Sequence, residues 1–453
     1  MDKEINYIGL VVLHIVIGVL IYALPILRQP FYLAVIVFFF IRIITAKESK
    51  KTITVLFACC YIISGESLFR MTGGGLFYEI SKYLVILFAI FGMFYSGISN
   101  KAYPYFFYLI ALVPAVVLAS VNLGYDLRFR SSVAFVLSGP VCLGISALYC
   151  YDKPIKKSEL LDIIKYIGLP IVSMTTYLFL YSPTIKEIIS STASNFAASG
   201  GFGPNQVSTI LGLGIFAFTV RFFLNSPTLL LKLVNGVIIL AISFRALVTF
   251  SRGGVLTALL MIVIFLFFLY LKSGYKQKQR IIFTFLLFCF FGAFSWLLSK
   301  NQTNDLIEKR YSNQDAAGRS KEDLTTGRAD LFFNELEGFM NEPFLGVGAS
   351  GMKKIRLDKE GQIIASHNEI SRLLSEHGIF GILIICILIF KPLSIRERST
   401  NNIFFYAFLV FWFATINHSA MRLAAPGFVY ALSLLNIIDD KTILHRKRLV
   451  SKG

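Results

Sequence analysis

What this chain lacks narrows its function before any motif does. Acidic residues are scarce, 26 Asp and Glu against 44 Lys and Arg, and residues 300–368 form the one sizeable hydrophilic stretch. That excludes an ordinary soluble enzyme. None of the 6 cysteines (59, 60, 142, 150, 289, 386) falls in the hydrophilic stretch and none forms a CxxC pair, so neither a disulfide framework nor a redox motif is indicated. They read as small apolar packing residues. No Asp-x-Asp pair in an outer loop, Walker loop, nucleophile elbow or His/Cys/Asp cluster at metal-ligand spacing appears, so no metal or cofactor is expected. No internal repeat is evident. No small-residue cleavage site follows the first apolar run, which is expected to stay as an anchor rather than act as a signal peptide.

What is present is apolar. Hydrophobic residues make up 56% of 453, and the mean hydropathy is +0.69. Runs near the roughly 18–20 residues needed to cross a bilayer recur near 7–24, 31–46, 52–69, 76–96, 103–121, 131–150, 160–181, 206–224, 228–250, 254–271, 281–299, 373–391, 402–417 and 423–438. The fold class is therefore all-α, a polytopic membrane bundle of about 12–14 transmembrane helices. Three regions follow: transmembrane helices with short loops over 1–299, a large loop over 300–368, and C-terminal helices with a basic tail over 369–453. Within the loop, Phe332, Leu336, Phe339 and Met340 recur at helical spacing over 327–342, ended by Pro343 and the glycines at 346, 348 and 351, so a small helical cap is expected there.

Lys and Arg in short loops favour the cytoplasm. With the N-terminus inside, inner segments hold Lys3, Lys47, Lys50, Lys51, Lys101, Lys153, Lys156, Lys157, Arg221, Lys272, Lys276, Lys278, Arg280, Lys391, Arg396, Arg398, Lys441, Arg446 and Arg448. The short outer segments hold Arg28, Arg70, Arg128, Arg130, Lys186, Arg252 and Arg422, which gives a roughly threefold inward bias. Both termini are expected inside and the 300–368 loop outside. Topology and contact with membrane lipids then account for the net charge of +18, and no nucleic-acid partner is needed.

This orientation gathers the unusual polar residues on the outer face. Ser251-Arg252-Gly253-Gly254 interrupts an apolar stretch; two glycines permit a tight reversal and close ligand approach, and Arg252 offers a planar fork of donors to phosphate. Arg245 lies seven residues earlier, two helical turns, so it is expected to project from the same face. An Arg that deep is costly and calls for a partner or ligand, though interface snorkelling accounts for either residue equally simply. Arg328 opens the cap helix, where a solvated charge or an ion pair with Asp330 is the plainer alternative; Arg310, Arg319, Lys353 and Lys354 supply positive field too. In Ser366-His367-Asn368-Glu369 the imidazole sits at a helix start facing outward, suited to take a proton from a hydroxyl, with a capping or interface histidine as the alternative. Glu376 lies about two and a half turns on and can orient a partner or cap a network inside the bundle. Asn417-His418 and Arg422 share the outer face.

The strings SRGGVLTALLMI, GRADLFFNELEGFMNEPFLGVGASG and SHNEISRLLSEHGIFGIL, preceded by Gly-Pro-Asn-Gln at 203–206, resemble the O-antigen ligase and O-antigen polymerase superfamily over about 200–390. The resemblance implies a bacterial inner-membrane glycosyltransferase of GT-C-like type, with its active site at the periplasmic face. The donor would be an undecaprenyl-diphosphate-linked glycan, transferred by a metal-independent, inverting route. It implies diphosphate-binding roles for Arg252 and Arg328 and a base in His367, the expected catalytic set. Arg245, Asn205, Asn368, Glu376 and Arg422 are the expected substrate-binding set. The acceptor stays open: lipid A core (a ligase, slightly favoured), another lipid-linked glycan (a polymerase), or a protein side chain (an O-oligosaccharyltransferase). A lipid-linked oligosaccharide flippase is weaker, because such folds show repeats and midplane charges.

Overall fold

A run of some twenty apolar residues in lipid must satisfy its backbone internally, and the helix does so within one segment. The computed structural model describes residues 2–123, 127–321, 327–361, 364–396 and 401–440 and is built accordingly. The first half carries α1 (Asp2–Ala23), α2 (Arg28–Thr45), α3 (Glu48–Met71), α4 (Ile80–Ser96), α5 (Pro104–Ala111), α6 (Val113–Asn122), α7 (Leu127–Cys150), α8 (Lys157–Tyr181) and the single turn α9 (Ile185–Ile188). The second half carries α10 (Pro204–Leu224), α11 (Leu229–Val248), α12 (Arg252–Leu271), α13 (Tyr275–Gln302), α14 (Leu306–Tyr311), α15 (Arg328–Asn341), α16 (Gly351–Glu360), α17 (Glu369–His377), α18 (Ile379–Arg396), α19 (Phe405–His418) and α20 (Ala425–Ser433). One pair of three-residue strands, β1 (Pro154–Lys156) and β2 (Asn436–Ile438), runs parallel with Ile155 opposite Ile437. The basic residues Arg398, Lys441, Arg446 and Arg448, and the side chains of Lys3 and Arg128, lie outside the described residues.

By length and apolarity 11 of the described helices qualify as membrane spans, and α4 and α19 are shorter apolar helices. With the nine-residue α20 and the strand after it, they account for every apolar run read from the sequence. The chain is a multi-pass membrane protein. Three runs depart from a simple helix. The 103–121 run breaks at Leu112, just ahead of Pro114, which cannot donate to the ladder. The 373–391 run begins as the separate α17 and turns at Gly378 (φ 59°) into α18. The 423–438 run is helix and then strand.

The centre is held by α3 and α10, each 89% buried over its apolar window, whereas α13 at 17% lies at the rim facing lipid. Close backbone approach makes that centre. A Cβ on Gly212 of α10 would stand 2.4 Å from the carbonyl oxygen of Gly254 in α12, and one on Gly254 2.2 Å from that of Ser208. Only glycine permits this separation, in the manner of small-residue packing between membrane helices. The glycines of the Ser-Arg-Gly-Gly string therefore sit inside the first turn of α12 and serve helix packing. The reversal expected of them is made by Phe250 at φ 57°. Two sets of buried charges in the bundle are paired: Glu66 bonds Arg70 at 2.5 Å and accepts the Ala424 amide at 2.7 Å, and Lys82 meets Glu79 at 2.7 Å.

β1 and β2 mark one end of the bundle, where the basic residues 153–157, 272–280 and Arg396 also lie. The segments 182–203, 249–251, 303–321, 327–361, 364–378 and 419–424 crowd the other.

Candidate active site

The loop-covered end is assembled around the start of α12. Ser251, extended at the N-cap, donates its hydroxyl to Asn205 Oδ1 at 2.7 Å, and its carbonyl accepts from Ser208 Oγ at 2.9 Å. Asn205 thus fixes the turn that presents Arg252. Arg252 Nη1 reaches the Arg310 carbonyl at 3.4 Å, while Arg310 Nε donates to the Phe250 carbonyl at 3.1 Å, which clips α14 onto the same turn. Arg328, the first residue of α15 after Gly327 (φ 76°), completes the group. Among the described residues it makes no ion pair with Asp330. Burial, then the charges of Arg252 and Arg328, hold the Arg310 guanidinium below its usual range; burial and Arg252 do the same to Arg328. Like charges drawn together in a half-buried place are stabilised by an arriving anion.

His367 lies in the loop 364–368. Its carbonyl accepts the Ala420 amide at 3.2 Å, and the carbonyl of Ser366 beside it accepts from Arg422 Nη2 at 3.0 Å. Nδ1 of His367 and Nε of Arg422 are buried without a protein partner. Burial first, then the cations Arg422 and Arg328, His418 and Arg356, push the imidazole down to about 4. At neutral pH it is therefore uncharged, with Nδ1 open to a hydrogen bond. His418 underlies both halves of the site: its Nε2 is 3.3 Å from Thr209 Oγ1, and a Cβ on Gly253 would stand 2.4 Å from its ring.

The remaining sequence-selected residues are placed differently. Asn368 caps α17, accepting the amides of Ile370 (2.9 Å) and Ser371 (3.2 Å) and donating to Asn417 Oδ1 (2.9 Å). Glu376 is 2% exposed and takes Arg372 Nη1 at 2.8 Å, in a buried triad with Glu369; burial raises its carboxyl to about 7. Arg245 is fully buried and donates to the carbonyls of Ser182 (3.3 Å) and Ala198 (2.9 Å). The chain breaks at 249–251, so Arg245 and Arg252 belong to separate helices and the shared face expected from their spacing does not form.

The cap helix holds a surprise. Its buried face is carried by Glu335 and Gly338, while Phe333 and Met340 are exposed at 63% and 70%. Glu335 accepts from Arg356 Nη2 (2.6 Å), Ser366 Oγ (3.1 Å) and Ser371 Oγ (2.5 Å), and so ties α15, α16 and the His367 loop together. Sequence reasoning passed over it, although it stands seven residues, two turns, after Arg328.

Over residues 236–386, about a third of the chain, the sequence matches the family model described as O-antigen ligase. None of the curated proteins compared with it matches. The matched stretch runs from α11 into α18 and contains Arg252, Arg310, Arg328, Glu335 and His367. Through residues 236–386 this multi-pass membrane protein is similar to the family described as O-antigen ligase.

Proposed function

We propose that this protein transfers a glycan from undecaprenyl diphosphate to an acceptor hydroxyl, in the manner of an O-antigen ligase, with lipid A core as the acceptor. The observation that carries the reading is a neutral, half-buried His367 set in the field of Arg328 and Arg422, next to the Arg252–Arg310–Arg328 group. The donor diphosphate lies against Arg252 and Arg328. His367 accepts the acceptor's proton as its oxygen bonds to the anomeric carbon. The bond from that carbon to the diphosphate oxygen breaks, its electron pair leaves with the lipid diphosphate, and the configuration inverts. Arginines stabilise the charge that develops on the leaving group, the task metal ions perform elsewhere. The excess of Lys and Arg at the β1/β2 end supports a cytoplasmic orientation for it, with the arginine site at the periplasmic face of a bacterial inner membrane.

A polymerase or a protein O-oligosaccharyltransferase would use the same atoms with a different acceptor. A flippase fits less well, because the site gathers at one end rather than at mid-bundle. The test is purified protein with undecaprenyl-diphosphate glycan, EDTA and a panel of acceptors. Glycan transfer coupled to release of undecaprenyl diphosphate, and lost in His367→Ala, supports the reading, and the productive acceptor names the subclass. Glycolipid translocation in proteoliposomes without any transfer overturns it.

A further inference from the structure

At the end of the bundle opposite the arginine site, a cavity of about 400 Å³ opens among the ends of α10 and α12, the first turns of α13, the start of α8 and β2. This lies within the volume range of small-molecule sites. Lys157, Lys272 and Arg280 reach it from three different helices, and among the described residues its lining holds one carboxylate, Asp439. Lys232 lies against it too, its Nζ 3.0 Å from Thr284 Oγ1 in the lining. Burial and the charge of Arg396, offset by Asp439 and reinforced by Lys157, hold the Lys272 ammonium below its usual range. The cations therefore work against one another there.

The walls have the opposite character. Phe223, Leu269 and Ile281 line the cavity, and α13 beyond them is the rim helix, with Ile282, Phe283 and Leu286 exposed at 51%, 68% and 64%. Cations around a polar hollow, joined to an apolar surface that lipid must cover, complement a molecule with an anionic head and hydrocarbon tails. Scattered surface lysines satisfy a topology bias without enclosing anything; these enclose a volume.

We propose that this cavity binds the phosphate headgroup of an anionic phospholipid, with the acyl chains lying on the Phe223, Leu269 and Ile281 wall. The proposal does not rest on the transferase reading.

The test uses the full chain in phosphatidylcholine nanodiscs with a minor fraction of phosphatidylglycerol, reading the bound lipid by mass spectrometry and by titration. The wild type retains phosphatidylglycerol through a high-salt wash that strips surface-bound lipid. Lys272→Gln and Arg280→Gln each weaken binding about fivefold, whereas Lys276→Gln, at an exposed position of α13 outside the cavity, leaves it unchanged. Melting curves in discs of phosphatidylcholine alone check that each variant folds, and Arg280→Lys, which keeps the charge, binds within about twofold of wild type. Equal binding by wild type and both cavity variants overturns the proposal. So does equal weakening by Lys276→Gln, which would mean diffuse surface charge. Displacement of the lipid by inorganic phosphate at comparable concentration would assign the cavity to a soluble anion instead.

Discussion

Removing the carboxylate of Glu335 should loosen the cap without loosening the bundle. Glu335 is 1% exposed and Arg356, its partner at 2.6 Å, is 3% exposed. Glu335→Ala strands that guanidinium, which for a buried pair costs about 3–5 kcal/mol, and removes acceptors from Ser366 and Ser371 at about 1 kcal/mol each. The terms are not additive, and Arg356 keeps its bond to the Ile364 carbonyl at 3.3 Å. About 3 kcal/mol is the reasonable figure, a shift of about a hundredfold in the opening equilibrium of the cap. Hydrogen exchange measures it: amides of α15 and α17 should exchange about a hundredfold faster, while those of α3 and α10 keep their wild-type rates. Because Ser366 adjoins His367, transfer should lose kcat more than KM. Glu335→Met with Arg356→Met, which removes both charges, should recover much of the protection. Unchanged cap exchange in Glu335→Ala would refute the reasoning, since the carboxylate would then not be the tie.

His367→Ala should lower transfer by about 10²–10⁴-fold with the protein still inserted and folded, as a membrane-fraction assay with an expression control would show. Because its folded value near 4 lies below the usual 6.5, His367 stays neutral as pH falls through 6.5 and protonates only near 4; the stability it lends is whole above about 6.5 and lost from there down toward 4. The kcat/KM profile should therefore lack an acid limb at 6–7, and such a limb would contradict the buried-imidazole account. Arg328→Ala should cost about 10²–10³-fold in kcat if it meets developing charge, and a pure KM effect would reassign it to ground-state binding. Gly254→Ala places a Cβ 2.2 Å from the Ser208 carbonyl and should destabilise the protein by about 1–3 kcal/mol, read as a lower melting temperature; an unchanged melt would mean that α10 and α12 separate freely.

The bundle was legible in the sequence because a lipid-spanning helix is nearly a composition rule. The cap helix was legible too, from the spacing of Phe332, Leu336 and Phe339 between Gly327 and Pro343. Its orientation was not: apolar spacing marks a face, but at a membrane surface that face can meet lipid or water, and here the polar Glu335 turns inward. Arg245 misled for a related reason. Its distance from Arg252 is two turns of helix, yet three residues at 249–251 break the helix, and spacing has meaning only on continuous backbone. Asn205 and Asn368 were marked as polar residues at the right end of the bundle, but their side chains hold other parts of the protein: Asn205 the Ser251 hydroxyl, Asn368 the first amides of α17 and Asn417. Nothing local in the sequence separates an Asn that grips a ligand from one that grips a neighbouring segment. For Glu376 the reading as part of a network inside the bundle matches its buried pairing with Arg372, one turn back, rather than a substrate contact.

The seam between β1 and β2 has a consequence for how the protein is made. Ile155 waits for Ile437, and Glu66 waits for the amide of Ala424, so segments from the first third of the chain are completed by residues synthesised near its close. Until then a carboxylate within the central helix α3 lacks its backbone donor and has only the nearby cations Arg70 and Lys82 to offset it. The bundle is therefore closed like a drawstring, by one short late segment, and a ribosome stalled before residue 424 leaves a molecule whose helices are inserted but whose interior is still open.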